Sequence, residues 1–142
     1  MSGLTKDKIL AFASNFRHAN LATVSVTGLP EAATVGFVMT PALEIIFDTS
    51  TESRKFRNLK QNPAIAFVIG GLDDEVTLQI EGEAEILGGD ALTHWKPVYF
   101  ARFPDGHKRE LWPDIAYLLV RPKWARMSDF SQDPPLIEEL TF

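Results

Sequence analysis

Hydrophobic positions along the chain change period several times, and each change marks an element. In residues 5–17, Ile9, Phe12, Ala13 and Phe16 recur every three or four places, which predicts an amphipathic helix. Thr5 is placed to cap it, and Leu4 with Ile9 can form a hydrophobic staple. The period then falls to two. Stretches 21–26, 32–39 and 43–48 read as strands, separated by the turns TGLP and TPA. A short helical pattern follows from residue 54, closed at Asn62-Pro63 because proline disfavours helix in the residue before it. Strands are expected again at 64–69 and 75–87, with Gly70-Gly71 turning between them. Residues 89–103 are helical, with Leu92, Trp95, Tyr99 and Phe103 stacked along one side, and PDGHKREL is a polar loop. Stretches 115–122 and 124–130 close the sheet, and the tail DPPLIEELTF is expected to start as irregular chain. About six strands joined mostly by tight turns, with two or three short helices, predict a mainly β fold. The expected architecture is a six-stranded antiparallel barrel forming a single domain over residues 1–142.

Composition narrows the function classes. A formal charge of −5 argues against a general nucleic-acid binder, which needs a basic face. The absence of cysteine excludes disulfides, thiolate metal sites and thiol nucleophiles. The N-terminus lacks the pattern of a signal peptide, and no apolar run reaches the length of a membrane span, so a cytoplasmic protein is expected.

The chemistry concentrates where the third strand meets the second helix. Arg54 and Lys55 stand in the first turn of that helix, where unsatisfied N–H groups already carry partial positive charge. Two cations there are unfavourable unless an anion lies among them. With Thr49, Ser50, Thr51 and Ser53 they supply the parts of a phosphate cradle. The other reading at this point is a solvated helix capped by Thr51. Elsewhere the signals are weaker. Glu81, Glu83 and Glu85 share one strand face and read as a solvated acidic stripe, and the three histidines show no metal-ligand spacing. No GxSxG, GxGxxG or P-loop motif is present, and nothing pairs a nucleophile with a base. Any catalysis would then rest on a cofactor. The aromatics Trp95, Tyr99, Phe100, Phe103 and Trp112 would suit core, subunit contact or the wall of a flat ring.

The run FDTSTESRKFRNLKQNPAIAFVI followed by LQIEGEAEIL resembles the pyridoxamine 5′-phosphate oxidase-like flavoproteins, the FMN-binding split-barrel superfamily. The hairpin LATVSVTGLPEAATVGFV and the closing PKWARMSDF fit that pattern more loosely. The resemblance implies a six-stranded split barrel and a homodimer with FMN in a cleft between subunits. It also implies an FMN-dependent oxidoreductase that transfers hydride to or from a small molecule. By position, Arg54 and Lys55 grip the FMN phosphate, with Ser53 and Thr49 as hydroxyl or backbone donors and Asp48 contributing main chain. The strand around Thr34 and Val35 would offer main-chain groups to the isoalloxazine edge. A strand glutamine that meets the flavin in the family falls at Thr77, with Gln79 on the same face as a substitute. The sequence departs from the true oxidases at Ala33 and Val38, where they carry Arg and Lys. It also lacks the Arg-rich C-terminal segment that binds their substrate, so oxidation of pyridoxamine phosphate is not expected. Two alternatives stay open. One is a deazaflavin-dependent reductase using the same basic site. The other is a non-catalytic flavin- or haem-binding protein, in which His18, His94 or His107 would have to ligate the iron.

Overall fold

A computed structural model describes residues 3–142. Helix α1, Lys6–Ala13, starts where Thr5 Oγ1 accepts a hydrogen bond from the Lys8 N–H at 3.2 Å. It stops short of the expected residue 17. Ser14 Oγ joins its own N–H on the Leu10 carbonyl at 2.7 Å, and Asn15 Nδ2 donates to the Ala11 carbonyl at 3.2 Å, so side chains help to satisfy the last carbonyls. Phe16 remains on the core side, with its ring centroid 5.1 Å from that of Phe12.

Strands β1, His18–Val24, and β2, Pro30–Gly36, form an antiparallel hairpin. Gly28, at φ 84°, supplies the left-handed turn residue between them. The strand expected over 32–39 breaks at Phe37, whose ring is buried and whose N–H donates to the Arg17 carbonyl at 3.1 Å. The chain then leaves β1 and continues as the two-residue β3, Val38–Met39, paired with β4, Ile45–Ser50. Helix α2, Arg54–Gln61, follows and ends at Asn62, directly before Pro63. Its N-cap is Ser53, not Thr51: Ser53 Oγ accepts from the Phe56 N–H at 3.2 Å. Next come β5, Ala64–Gly70, and β6, Val76–Ile86. Helix α3 covers Gly89–Arg102, and a single turn, α4, covers Gly106–Arg109 inside the expected polar loop.

The two closing strands are one continuous β7, Ile115–Asp129, and the tail forms a further strand, β8, Leu136–Thr141. Among the described residues the sheet therefore has eight strands where six were expected, in the order β2-β1-β5-β6-β7-β4-β3 with β8 also on β7. Strand β7 makes this possible through its length. One edge follows β6, while the other pairs first with β4 and then with β8. The register shift at Glu81/Gly82 bends β6 where it follows this long strand, and only glycine fits there: a Cβ on Gly82 would lie 2.4 Å from the Arg121 carbonyl oxygen.

The result is a curled antiparallel sheet, open between β2 and β3, in the manner of a split barrel. Its interior is filled by Leu21, Val35, Phe37, Phe47, Phe67, Leu78, Ile80 and Leu118, with Ile9 of α1 and Phe56 and Leu59 of α2 as lids. A second apolar cluster, Ile46, Tyr99, Phe100, Phe103, Tyr117 and Leu119, seats α3 on the outside of β4 and β7. Among the described residues no helix is long and apolar enough to cross a membrane.

Candidate functional site

Strand β4 delivers the chain to α2 through a turn built by its own hydroxyls. Ser50 Oγ accepts from the Glu52 N–H at 3.0 Å and donates to Asp114, while the Thr51 N–H donates to the Asp114 carbonyl at 2.7 Å. Thr49 Oγ1 and Ser53 Oγ are 3.0 Å apart, hydrogen-bonded across the turn. These bonds fix the start of α2 against the rim of the barrel, facing β2.

The two cations there differ sharply in environment. Arg54 reaches across to β2 and pairs with Glu31. The second oxygen of that carboxylate accepts from Asn58 Nδ2 at 2.7 Å, and Asn58 also donates to Thr23 Oγ1 at 2.9 Å. The Arg54 bond, followed by the Asn58 bond, holds the Glu31 carboxyl below its ordinary range, and the Arg54 guanidinium is raised in turn. Lys55 is half-buried, and no carboxylate of the described residues pairs with it. Desolvation alone moves its pKa, and moves it down. Lys55, Arg54 and Glu31 line one cavity of about 180 Å³ with Leu21, Thr23, Ala32 and Ala33.

The cavity runs on to an open sheet edge. Strand β2 ends the strand order on its side, and the bonds Ser25 N–H to Leu29 O and Phe37 N–H to Arg17 O set its hydrogen-bonding phase. By antiparallel alternation, Glu31, Ala33 and Val35 turn their main-chain groups to β1, whereas Ala32 and Thr34 turn theirs to the open side. Thr34 is thus a free main-chain donor and acceptor. Val35 is not; its side chain is in the core. Ala33 lines the cavity, while Val38 packs against the α3 cluster.

The remaining expected residues lie elsewhere. Strand alternation turns the Asp48 side chain to the opposite face, where Arg109 Nε donates to it at 2.8 Å. Arg109 also donates to Asp105 at 3.0 Å and to the Tyr99 hydroxyl at 3.3 Å. Desolvation works against the Arg109 charge, but these acidic partners outweigh it and raise its pKa; burial, reinforced by Asp48, likewise raises Tyr99. This ion-pair network escaped the sequence reading, although the spacing of Asp105 and Arg109 suits a one-turn helix pair. Gln79 shares an outer row with Thr34, in the order Thr34, Asn20, Val68, Gln79. Thr77 lies one step further along the same face of β6. Three strand spacings, about 14 Å, separate β6 from β2, and neither Thr77 nor Gln79 lines the cavity that holds Lys55. Two of the three acids of the stripe are paired, Glu83 with Lys123 at 2.7 Å and Glu85 with Arg121 at 3.0 Å. Among the described residues no three metal-ligating side chains converge. His18 lines a separate cavity of about 250 Å³, His94 packs edge-on to Trp95, and His107 lies on the Phe100 ring.

Residues 5–129 match the family model described as pyridoxamine 5′-phosphate oxidase. No curated protein matches the chain. Among solved structures, a pyridoxamine 5′-phosphate oxidase-related, FMN-binding protein from Nostoc punctiforme superposes with a TM-score of 0.68 at 16% identity, covering 96% of this chain and 91% of that one. A haem-binding protein from Mycobacterium smegmatis gives 0.83 at 16% identity, covering 99% of this chain but 59% of its own. The haem storage protein HutZ from Vibrio cholerae gives 0.69 at 20% identity, with 82% and 88% covered. At these identities the likeness is one of fold, and it spans both flavin and haem proteins.

Proposed function

The chain belongs to the pyridoxamine 5′-phosphate oxidase family, and from that premise we propose that it binds FMN and acts as a flavin-dependent oxidoreductase of a small molecule. The observation that carries the proposal is Lys55. An ammonium that is partly desolvated and pairs with no carboxylate of the described residues is unfavourable in the free protein, and a phosphate at the start of α2 would supply the missing anion. The residues present fit the phosphate end of the cofactor: Lys55 as the cation, the first N–H groups of α2 as donors, and Ala33 leaving room. The open main-chain groups of Ala32 and Thr34 fit the polar edge of a flavin ring. When bound, the flavin supplies hydride transfer at N5; the chain's part is to bind, orient and exclude water.

A cavity of about 180 Å³ is smaller than the ~300 Å³ at which small-molecule sites begin. A second copy of the chain would supply the rest of the wall, and the proposed assembly is a homodimer with the flavin between subunits. An open apolar groove lined by Ala22, Val24, Pro30, Ala64 and Ala66 adjoins the cavity through Thr23 and suits such a contact.

The test is flavin fluorescence quenching by the stripped protein, with FMN and riboflavin titrated in parallel. FMN binding much tighter than riboflavin supports the reading; equal affinities, or none, overturn it. Haem binding is the second reading, favoured by His18 at a cavity of its own and by the fold shared with two haem proteins. A Soret band that disappears in His18→Ala would replace the flavin proposal.

A further inference from the structure

We infer that Glu31 sets the charge of the anion site: its carboxylate, locked beneath Arg54, weakens the grip of the cavity on a phosphate monoester and leaves Lys55 as the cation that holds it. The inference rests on the FMN reading and goes beyond it, because it assigns a selectivity role to a residue outside the helix that carries the cations.

Three observations converge on it. First, the carboxylate is fixed in place. One oxygen accepts from Asn58, which is only 5% exposed and is itself tied to Thr23, only 2% exposed. Glu31 therefore cannot swing away from an arriving ligand without leaving one N–H of a buried amide short of its partner. Second, Arg54 is the solvent-exposed member of the pair, with 73% of its side chain exposed against 19% for Glu31. The guanidinium lies over an anchored acid, and the acid is not drawn out to meet it. Third, Glu31 lines the same cavity as Lys55, so any phosphate placed there feels both. The lining charges sum to one net positive, from Arg54 and Lys55 against Glu31. A phosphate monoester carries about −1.5 to −2 near neutral pH, more than the cavity neutralises. The Arg54 and Asn58 hydrogen bonds keep the Glu31 carboxyl ionised through the neutral range, so this balance is the resting one.

Glu31→Gln tests it. The amide keeps an oxygen for Asn58 but removes the charge. Removing one unit charge several ångströms from a phosphate near a protein surface corresponds to about tenfold in affinity. FMN is expected to bind about tenfold tighter to Glu31→Gln, and riboflavin, which has no phosphate, with unchanged affinity. Glu31→Ala serves as a second variant and is expected to move FMN in the same direction, with a thermal melt checking that both are folded. FMN affinity unchanged or weakened in both variants overturns the inference while wild-type binding keeps the FMN reading intact. Equal tightening of FMN and riboflavin also overturns it, since the gain would then come from space and not from charge. Failure of the wild type and both variants to bind FMN overturns both.

Discussion

Replacing Lys55 by methionine should stabilise the protein and disable the site in a single step. The side chain keeps much of its length and apolar stem but loses an ammonium that is half-buried and pairs with no carboxylate of the described residues. Because the group is partly exposed, water screens much of its cost. The gain is accordingly set at about 0.5–1 kcal/mol, in the range seen when an unfavourable functional group is removed. For a chain of this size that raises Tm by about 1–4 °C. The pH dependence follows from the sign of the shift. Burial lowers the Lys55 pKa in the folded chain below the 10.5 of an unperturbed lysine, so folding is opposed wherever the group is charged in both states. That opposition is full at neutral pH and fades as pH rises through the folded value towards 10.5. The stability difference between Lys55→Met and wild type should therefore shrink from pH 8 to pH 10.5 in parallel urea titrations. Against this gain, loss of one charge-assisted contact of about 1.5–3 kcal/mol weakens FMN binding about 10- to 150-fold. A variant that melts below wild type and binds FMN as before would refute the argument, because Lys55 would then be a structural cation with no ligand to wait for.

Other substitutions probe the frame around the site. Asn58→Ala removes the amide linking Thr23, Glu31 and α2 and should cost about 1–3 kcal/mol in urea unfolding, with the buried Thr23 hydroxyl left unpaired. Gly82→Ala drives a Cβ against the Arg121 main chain and should cost about 3 kcal/mol or prevent folding, read by the soluble yield and the melt. Arg109→Met leaves the Asp48 carboxylate, only 12% exposed, without its guanidinium and should cost about 2–3 kcal/mol while leaving the FMN to riboflavin affinity ratio unchanged. Tyr117→Phe removes a buried hydroxyl with no partner among the described residues and should stabilise by about 1 kcal/mol, as a Tm increase.

How far the sequence was legible depended on how local each feature was. The Thr5 cap, the β1–β2 hairpin and the stop of α2 before Pro63 are decided within a few residues by side-chain hydrogen bonds and fixed backbone angles, and they read correctly from the chain. The helix stop after Ala13 was equally local but depended on Ser14 and Asn15 bonding the last carbonyls, which periodicity does not reveal. The tail was unreadable for a different reason. Leu136 to Thr141 becomes a strand because β7 is long enough to expose a pairing edge beyond β4, a property of a distant segment.

The site divides in the same way. That two cations stand at a helix start and need an anion follows from residues 53–55 alone, because the helix N-terminus is a local electrostatic object. Which cation is already satisfied was decided by the fold, since Glu31 lies 23 positions before Arg54 and meets it only when β2 crosses the start of α2. Strand alternation, once the register was set, sent Asp48 to Arg109 across a sequence separation of 61 and opened the main chain of Thr34 instead of Val35. The sequence by itself determined where charge had to be balanced, and the tertiary structure decided what balances it, because counter-ions and free sheet edges are created by contacts between segments far apart along the chain.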